Sequence, residues 1–288
     1  MTQNLYIPLN NRAVISITGA DKKTFLQGII TNDINKLDEK NSIYALMLTP
    51  QGKFLYDFFI SEREDLIFID CAADKISEIR KKLSLYKLRS DVKIEDASET
   101  YEVVALIGDG VYKAVEDSTA GYTRKFCKGV AYIDPRSKNM FARSVIEREN
   151  NYQSFIAYEF EKGELTAYED VRIGEKIPEG GVDIIYGQDF PLDFGLDKIG
   201  AIDYKKGCYV GQEVTARVYH RGKIRKQLYL AKCPSALPFG ADVTSDEIKI
   251  GKTLSSTKTH IILLLNQEKV ANLKNSCKVS DTDITLLD

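Results

Sequence analysis

One thiol stands in an unusual setting in the segment "YKKGCYVGQEVTARVYHRGKIRK", residues 204–226. Cys208 lies between two glycines and follows two lysines. The thiolate is the reactive form of cysteine, and nearby positive charge lowers the pKa of a thiol. Because Lys205 and Lys206 would supply that charge, we expect Cys208 to be an exposed nucleophile with Lys206 as a candidate catalytic partner. The alternative is a small buried hydrophobe, which is the commonest fate of a free cysteine.

A second candidate is Asp57, which lies among apolar neighbours in "FLYDFFI", residues 54–60. Burying a carboxylate is costly unless a partner pairs with it. A buried Asp57 could hold the N–H edge of a heterocyclic ligand and take part in catalysis. The alternation of the strand leaves open whether Asp57 faces the interior or the solvent.

The run "RVYHRGKIRK", residues 217–226, concentrates positive charge that includes Arg217 and Arg221. One interpretation is a site for a phosphate or polycarboxylate ligand. The other is a solvated hairpin. A dyad of Cys208 with His220 would suit nucleophilic catalysis, against the simpler interpretation of His220 as an exposed turn residue.

Composition excludes several classes of function. The chain has 288 residues, 43% hydrophobic and 28% charged, with a formal net charge of −2. This profile is typical of a globular protein of two or three domains, and it does not indicate a nucleic-acid coat. No apolar run reaches the ~18 residues that span a bilayer, and no nucleotide-hydrolysis or metalloprotease motif is present.

The cysteines do not form a metal or disulfide pattern. There are five, and no two lie within three residues of each other. We therefore expect reduced thiols and no metal bound by this chain alone. The N-terminal segment has the features of neither a signal peptide nor a transit peptide. Together these observations predict a cytoplasmic location.

The periodicity predicts an α+β protein. Residues 42–60 indicate a hairpin with "PQG" at its turn, and residues 73–88 and 166–178 indicate helices. After residue 217 the pattern changes to short strands separated by turns, which is typical of a small β-barrel. The earlier part mixes strands and helices without regular alternation, which favours α+β over a doubly wound sheet.

Taken together, the motifs resemble the YgfZ family of folate-binding proteins that assist iron–sulfur cluster assembly. The residues "KGCYVGQE", 206–213, match the family signature K-G-C-[FY]-x-G-Q-E, and the match continues through "ARVYHRGKIRK". The segments "FLQGIITNDI" (25–34), "LTPQGKFLYDFF" (48–59) and "VRIGEKIPEGGVD" (171–183) are also similar to the family. The resemblance covers residues 13–265.

A more distant resemblance is to T-protein, the aminomethyltransferase of glycine cleavage. The segments "ITNDI", "QGKFLYDFFI" and "YGQD" are similar to it. The position of T-protein's catalytic aspartate corresponds to Asp57, and that of its folate-contacting tyrosine to Tyr186. Gly174 stands where T-protein has the glutamate that holds the pterin, with Glu175 next to it. The signature cysteine is absent from T-protein, so the YgfZ family is the better match.

This resemblance implies three domains around a central channel that holds folate, with a β-barrel as the third. The first two domains would be α+β and interleaved in sequence. The expected boundaries are residues 1–41 with 98–165, residues 42–97 with 166–217, and residues 218–288 for the C-terminal barrel.

The resemblance also implies a ligand, a site and partners. Tetrahydrofolate or a one-carbon derivative would bind with its pterin near Asp57 and Tyr186 and its glutamate tail near Arg217 or Arg221, and Cys208 would stand near the folate. The other implied binding residues are Tyr44, Arg172, Gln188 and Gln212. The implied partners are iron–sulfur assembly carriers and client cluster proteins, including those that support tRNA modification, with no direct nucleic-acid or membrane partner. The alternatives are a folate-dependent aminomethyltransferase and a non-enzymatic folate-binding scaffold.

Overall fold

The computed structural model describes residues 3–137, 141–148, 152–222, 224–271 and 276–287. These residues form two stacked sheets and a closed barrel, with helices on the outer faces. The α+β class and the C-terminal β-barrel predicted from the sequence are confirmed.

The first sheet has six strands and is antiparallel except at one edge, where the first two strands are parallel. In spatial order they are Glu161–Lys162 (β11), Leu5–Pro8 (β1), Tyr101–Ile107 (β7), Ala142–Glu147 (β10), Gly129–Ile133 (β9) and Thr123–Phe126 (β8). Its central strands β7 and β10 are buried along almost their whole length because both faces of the sheet are covered. Helices Gly110–Val115 (α3) and Gln153–Ala157 (α4) pack on the outer face, where Val111 and Phe155 are buried.

The second sheet has five strands. In spatial order they are Ile43–Leu48 (β3), Phe54–Arg63 (β4), Leu66–Ala72 (β5), Arg12–Thr18 (β2) and Lys93–Asp96 (β6). Helices Lys22–Gln27 (α1) and Ile76–Lys87 (α2) cover its outer face. Its inner face carries Val14, Tyr44 and Phe59, which share one core with Val103 and Val145 of the first sheet. The predicted hairpin is present as β3 and β4.

The remaining elements are helix Leu165–Gly174 (α5), helix Gln212–Arg221 (α6) and the barrel with its short helix Gln267–Val270 (α7). In spatial order the barrel strands are Lys226–Lys232 (β12), His260–Asn266 (β15), Ile248–Ser256 (β14), Asp242–Ser245 (β13), Ser276–Val279 (β16) and Thr282–Leu286 (β17). In the part of the chain that the structure describes, no helix is long and apolar enough to cross a membrane.

The sheets divide the chain differently from the expected domain boundaries, which remain a prediction. Strand β2 pairs with β5 and β6, so the expected boundary at residue 41/42 separates strands of one sheet. The amphipathic pattern of a strand does not specify its partner, which explains the difference. Residues 212–221 are helical, so the barrel begins at Lys226 instead of at residue 218. For the same reason, the interpretation of residues 217–226 as a solvated hairpin is wrong.

A buried carboxylate, Asp183, hydrogen-bonds the barrel to the rest of the molecule. Asp183 Oδ1 accepts a hydrogen bond from the backbone N–H of Ser255 in β14, at 2.7 Å. Its Oδ2 accepts from Arg172 Nη1 and from the backbone N–H of Glu179, both at 2.9 Å. Asp183 therefore connects α5, the loop after it and the barrel.

Replacing this carboxylate tests its importance. Asp183→Ala removes one of the acceptors of the buried Arg172 guanidinium and the side-chain acceptor of two backbone N–H groups, so we expect a loss of about 3–5 kcal/mol in the free energy of unfolding. Urea denaturation followed by circular dichroism measures it. Asp170→Ala, at an exposed position on α5, is the matched control and should change stability by less than about 0.5 kcal/mol. Equal stability of Asp183→Ala and Asp170→Ala would show that the hydrogen bonds of Asp183 do not stabilise the attachment of the barrel.

Candidate functional site

Two ion pairs to one buried carboxylate join the two sheets. Asp70 lies in β5, and its Oδ1 accepts from Arg12 Nε at 2.6 Å. Its Oδ2 accepts from Arg143 Nη2 at 2.6 Å and Nε at 3.1 Å. Arg12 belongs to the second sheet and Arg143 to β10 of the first. A buried carboxylate is stable only when its oxygens are paired in this way.

A third ion pair extends this cluster. Arg136 forms a bidentate pair with Asp134, at 3.1 and 3.0 Å. The hydroxyl of Tyr168 accepts from Arg136 Nη2 at 3.2 Å and from Arg143 Nη1 at 3.1 Å. The Phe59 ring lies among the guanidinium groups, and its centroid is 3.9 Å from Arg143 Cζ. The cluster therefore combines ion pairs with cation–π contacts.

Asp57 lies at the edge of this cluster and is only partly paired. Its Oδ2 is 3.5 Å from Arg12 Nη1. Burial opposes the charge of Arg12, but Asp70 and Asp57 outweigh it, so the pKa of Arg12 is raised well above its ordinary value. Asp57 is 2% exposed, and among the described residues its Oδ1 has no hydrogen-bond partner. Asp57 therefore faces the interior and offers a free acceptor there.

Backbone without a side chain approaches this free oxygen. A Cβ atom added at Gly180 would lie 2.6 Å from Asp57 Oδ1 and 2.6 Å from Phe54 Cζ. A buried acceptor without a donor is costly. The combination of an orphaned oxygen and a glycine beside it marks a position for a donor that the described residues do not supply.

Both predicted tyrosines, Tyr44 and Tyr186, lie next to Asp57. Tyr44 is buried against Phe59, at 4.9 Å between ring centroids, and its hydroxyl has no hydrogen-bond partner among the described residues. Tyr186 is half-buried and stacks on Phe54 at 5.8 Å. Burial, followed by the charge of Asp57, raises the pKa of both phenols. Both rings therefore remain neutral donors near the carboxylate.

Other predicted residues are placed differently. Arg172 is fully buried, and its guanidinium donates to the Ile177 carbonyl at 2.6 Å, to Asp183 and to Glu169. These hydrogen bonds hold the segment that leads to Gly180, and the expectation that Arg172 contacts folate stays a prediction. Gln188 is exposed on the loop that contains Tyr186.

Lys206 does not have the predicted catalytic environment. Its side chain is 8% exposed. Its ammonium donates to the carbonyls of Gln27, Ile30 and Asn32, at 2.7, 2.6 and 2.9 Å. Carbonyls at a helix end lack helical partners, so the ammonium satisfies the end of α1 and the turn after it. Burial lowers the pKa of Lys206 to about 8. With all three donors in use, Lys206 is an anchor and is not a base for Cys208.

A contact between two glycines provides a second anchor for the same loop. Gly211 has φ +84°, and a Cβ there would lie 2.5 Å from the Thr49 carbonyl and 3.2 Å from the Cα of Gly52. Gly52, at the hairpin turn, has φ +75°. Only glycine allows both the positive φ and this approach. Between the anchors at Lys206 and Gly211, Cys208 is exposed, as predicted.

Helix α6 continues from the second anchor. Gln212 is partly buried in its first turn, and Arg217 is exposed and pairs with Glu213 at 2.7 Å. Arg221 is exposed at its C-terminal end. His220 packs edge-on against Tyr219, at 5.0 Å between ring centroids, and no hydrogen bond between described residues joins it to Cys208. The structure therefore does not form the Cys208–His220 dyad.

The other thiols are less accessible. Cys71, Cys233 and Cys277 are buried and Cys127 is partly buried. Burial raises the pKa of each of these thiols, and that of Cys277 to about 11. Among the described residues, no group of three or more His, Cys, Asp or Glu side chains could hold a metal ion.

The sequence analysis missed the ion-pair cluster. The signal that identified Asp57, a charge in an apolar strand, also applies to Asp70 in "LIFID" and Arg143 in "MFARSVIE". The partners could not be predicted from it, because Arg12 and Arg143 reach Asp70 from different sheets.

The fold of the chain matches that of a known class of protein. The structure matches aminomethyltransferase T of the glycine cleavage system from Bartonella henselae, with a TM-score of 0.81 and 12% identity, over 100% of this chain and 86% of that one. The family model described as the GCVT N-terminal domain matches residues 8–123. The predicted T-protein-like fold is confirmed.

More similar sequences carry a different description. The chain is 28% identical to "Iron-sulfur cluster assembly factor IBA57 homolog, mitochondrial" of Dictyostelium discoideum, over 93% of this chain and 71% of that protein. It is 34% identical to the protein of the same description from Neurospora crassa, over 76% of this chain and 52% of that protein. It is 29% identical to "Iron-sulfur cluster assembly factor IBA57, mitochondrial" of Mus musculus, over 80% and 66%. The specific resemblance to the YgfZ family stays a prediction.

These matches correct the expected location. The relatives named above are all described as mitochondrial, so the prediction of a cytoplasmic location is wrong. That prediction used the composition of the N-terminal segment, which does not by itself define a compartment.

Alkylation tests the contrast among the thiols. Because Cys208 is exposed and the other thiols are wholly or partly buried, we expect iodoacetamide to modify Cys208 at least about tenfold faster than Cys71 or Cys277 in the folded protein at neutral pH. Mass spectrometry of peptides resolves each site. Labelling in denaturant is the control and should remove the difference. Equal rates in the folded protein would contradict the structure.

A pair of adjacent lysines tests the first anchor. Lys206→Met leaves three carbonyls without their donor, so we expect a loss of about 2–3 kcal/mol in the free energy of unfolding. Lys205→Met is the matched control because Lys205 is exposed, and its effect should stay within about 0.5 kcal/mol. Thermal and urea denaturation measure both variants. A stable Lys206→Met protein would show that the three hydrogen bonds do not hold the loop.

Proposed function

We propose that the chain is a folate-binding factor for iron–sulfur cluster assembly. The descriptions of the relatives support the role in cluster assembly. The matches span about half to seven tenths of those proteins, so the role of the whole protein is part of the proposal. The observation that supports folate is the unpaired Oδ1 of Asp57.

The residues around Asp57 fit a pterin. A pterin is a flat heterocycle with N–H donors along one edge, and the free carboxylate oxygen would accept one of them. Tyr44 and Tyr186 supply aromatic surface, and Gly180 leaves no side chain in front of the oxygen. Arg12 Nη1 contacts the other carboxylate oxygen at 3.5 Å. In this arrangement Asp57 orients the ring, and the two tyrosines pack against it.

Cys208 would supply thiolate chemistry at the surface. Iron–sulfur clusters are held mainly by several cysteine thiolates, and no cluster of metal-binding side chains occurs in the described part of this chain. A cluster that Cys208 contacts would therefore take its remaining ligands from another protein. The cluster is cargo in this proposal, and the two anchors hold the thiol ready for it.

The alternative of aminomethyl transfer is less well supported. Gly174, at the position of T-protein's pterin-holding glutamate, ends α5 without a carboxylate. The neighbouring Glu175 accepts hydrogen bonds from the Ser137 hydroxyl, at 3.1 and 2.9 Å. That carboxylate is engaged with Ser137.

Ligand titration tests the folate part. We expect the wild type to bind tetrahydrofolate and Asp57→Ala to bind it roughly 5- to 150-fold more weakly, because the N–H donors lose a buried acceptor. Calorimetry under anaerobic conditions measures the Kd. Asp65→Ala, at an exposed turn of the same sheet, is the control and should bind like the wild type. No binding to the wild type, or equal binding to both variants, would refute the folate site.

Complementation tests the cluster part independently of folate. In cells that lack their own copy of the protein, we expect the wild type and Cys127→Ala to restore the activities of iron–sulfur enzymes and Cys208→Ala to fail. Protein levels are measured in parallel. Full rescue by Cys208→Ala would leave the thiol without a function. If the chain instead supports glycine cleavage in a system reconstituted with a lipoyl carrier, it is an aminomethyltransferase.

A further inference from the structure

The C-terminal end of α2 presents large apolar side chains to solvent. Leu85 is 70% exposed and Leu88 87% exposed, and Tyr86 beside them is also exposed. The helix already uses Ile79 and Leu83 to pack on the sheet. Two leucines with such high exposure protrude from the surface, and a contiguous exposed apolar patch indicates an interaction site.

The backbone holds Leu88 outward at an energetic cost. Leu88 has φ +49° and ψ −110°. It is the first central residue of a turn that the Ser90 N–H closes on the Lys87 carbonyl, at 2.9 Å. These angles are near those of a type II′ turn, whose first central position favours glycine. A leucine that is both strained and exposed has no role in the packing of the fold, and such outliers cluster at functional positions.

Positive charge surrounds these leucines. Residues 80–91, called the α2 tip below, contain five cations and a single carboxylate, Asp91, in a chain of net charge −2. The cations are Arg80, Lys81, Lys82, Lys87 and Arg89. Asp91 lies beside Asp21, whose carboxylate accepts from the Asp91 N–H at 2.7 Å. Of these cations, Lys81 and Arg89 are exposed, and Arg80, Lys82 and Lys87 are partly buried. The α2 tip therefore combines exposed apolar side chains with a local excess of positive charge.

We propose that the α2 tip docks the protein on an anionic lipid surface. Protruding leucines enter the headgroup region without a complementary pocket, whereas a protein partner would need one. The exposed Lys81 and Arg89 are attracted to anionic headgroups, and tyrosine favours the membrane interface. The association is peripheral, and it revises the expectation that the chain has no membrane partner. It does not depend on the folate site.

Vesicle binding tests the proposal. The full chain should co-sediment with phosphatidylcholine vesicles that contain about 30% phosphatidylserine and only weakly with pure phosphatidylcholine. The double variant Leu85→Ser with Leu88→Ser should lose at least about tenfold in the partition coefficient. Replacing Lys81 and Arg89 by Gln should cost roughly fivefold for each charge. Leu165→Ser, which removes a 44% exposed leucine on α5, is the matched control and should bind like the wild type.

The variant Leu88→Gly separates docking from folding. Glycine relieves the strained turn, so its apparent Tm should rise by about 2–4 °C, while its partition onto anionic vesicles falls. A gain of stability with a loss of binding would support the α2 tip as a docking surface. The proposal is overturned if the wild type does not prefer anionic vesicles. It is also overturned if Leu165→Ser loses as much binding as the leucine pair.

Discussion

The pairing of Asp70 with Arg12 and Arg143 is the interaction on which the site depends. One carboxylate receives a guanidinium from each sheet, so the two sheets keep a fixed separation at this point. Arg12 then extends from Asp70 to Asp57. Because the position of Arg12 is set by Asp70, the orientation of Asp57 is set as well. One oxygen of Asp57 faces Arg12, and the other remains a free acceptor in a buried place.

The loop that carries Cys208, between Lys206 and Gly211, is held by a different kind of constraint. The Lys206 ammonium donates to three backbone carbonyls at the end of α1 and in the turn after it. Gly211 packs against Gly52 in the hairpin turn. These contacts explain why a lysine and a glycine flank the thiol at this spacing. A thiol on an unanchored loop would pay conformational entropy each time it met a partner. Because the two anchors already order the loop around Cys208, much of this conformational entropy is lost when the protein folds and not when the thiol meets a partner.

The sequence predicted the hairpin, the barrel and the exposure of Cys208, since each depends on local pattern or on the shortage of apolar neighbours. It did not predict the partner of strand β2 or the role of Lys206, because both depend on contacts with residues far along the chain. Proximity in sequence made Lys206 a candidate partner for Cys208, whereas burial directed its ammonium elsewhere. The direction in which Asp57 points was left open by alternation and is decided by Arg12.

In the proposed complex, the free oxygen of Asp57 receives a pterin N–H. A crystal structure of the protein with tetrahydrofolate would show this contact. We expect a pterin nitrogen at about 2.7–3.2 Å from Asp57 Oδ1, with the ring beside Tyr44 and Tyr186 and the Arg12 contact retained. A folate bound elsewhere, with Asp57 Oδ1 still without a ligand donor, would contradict it.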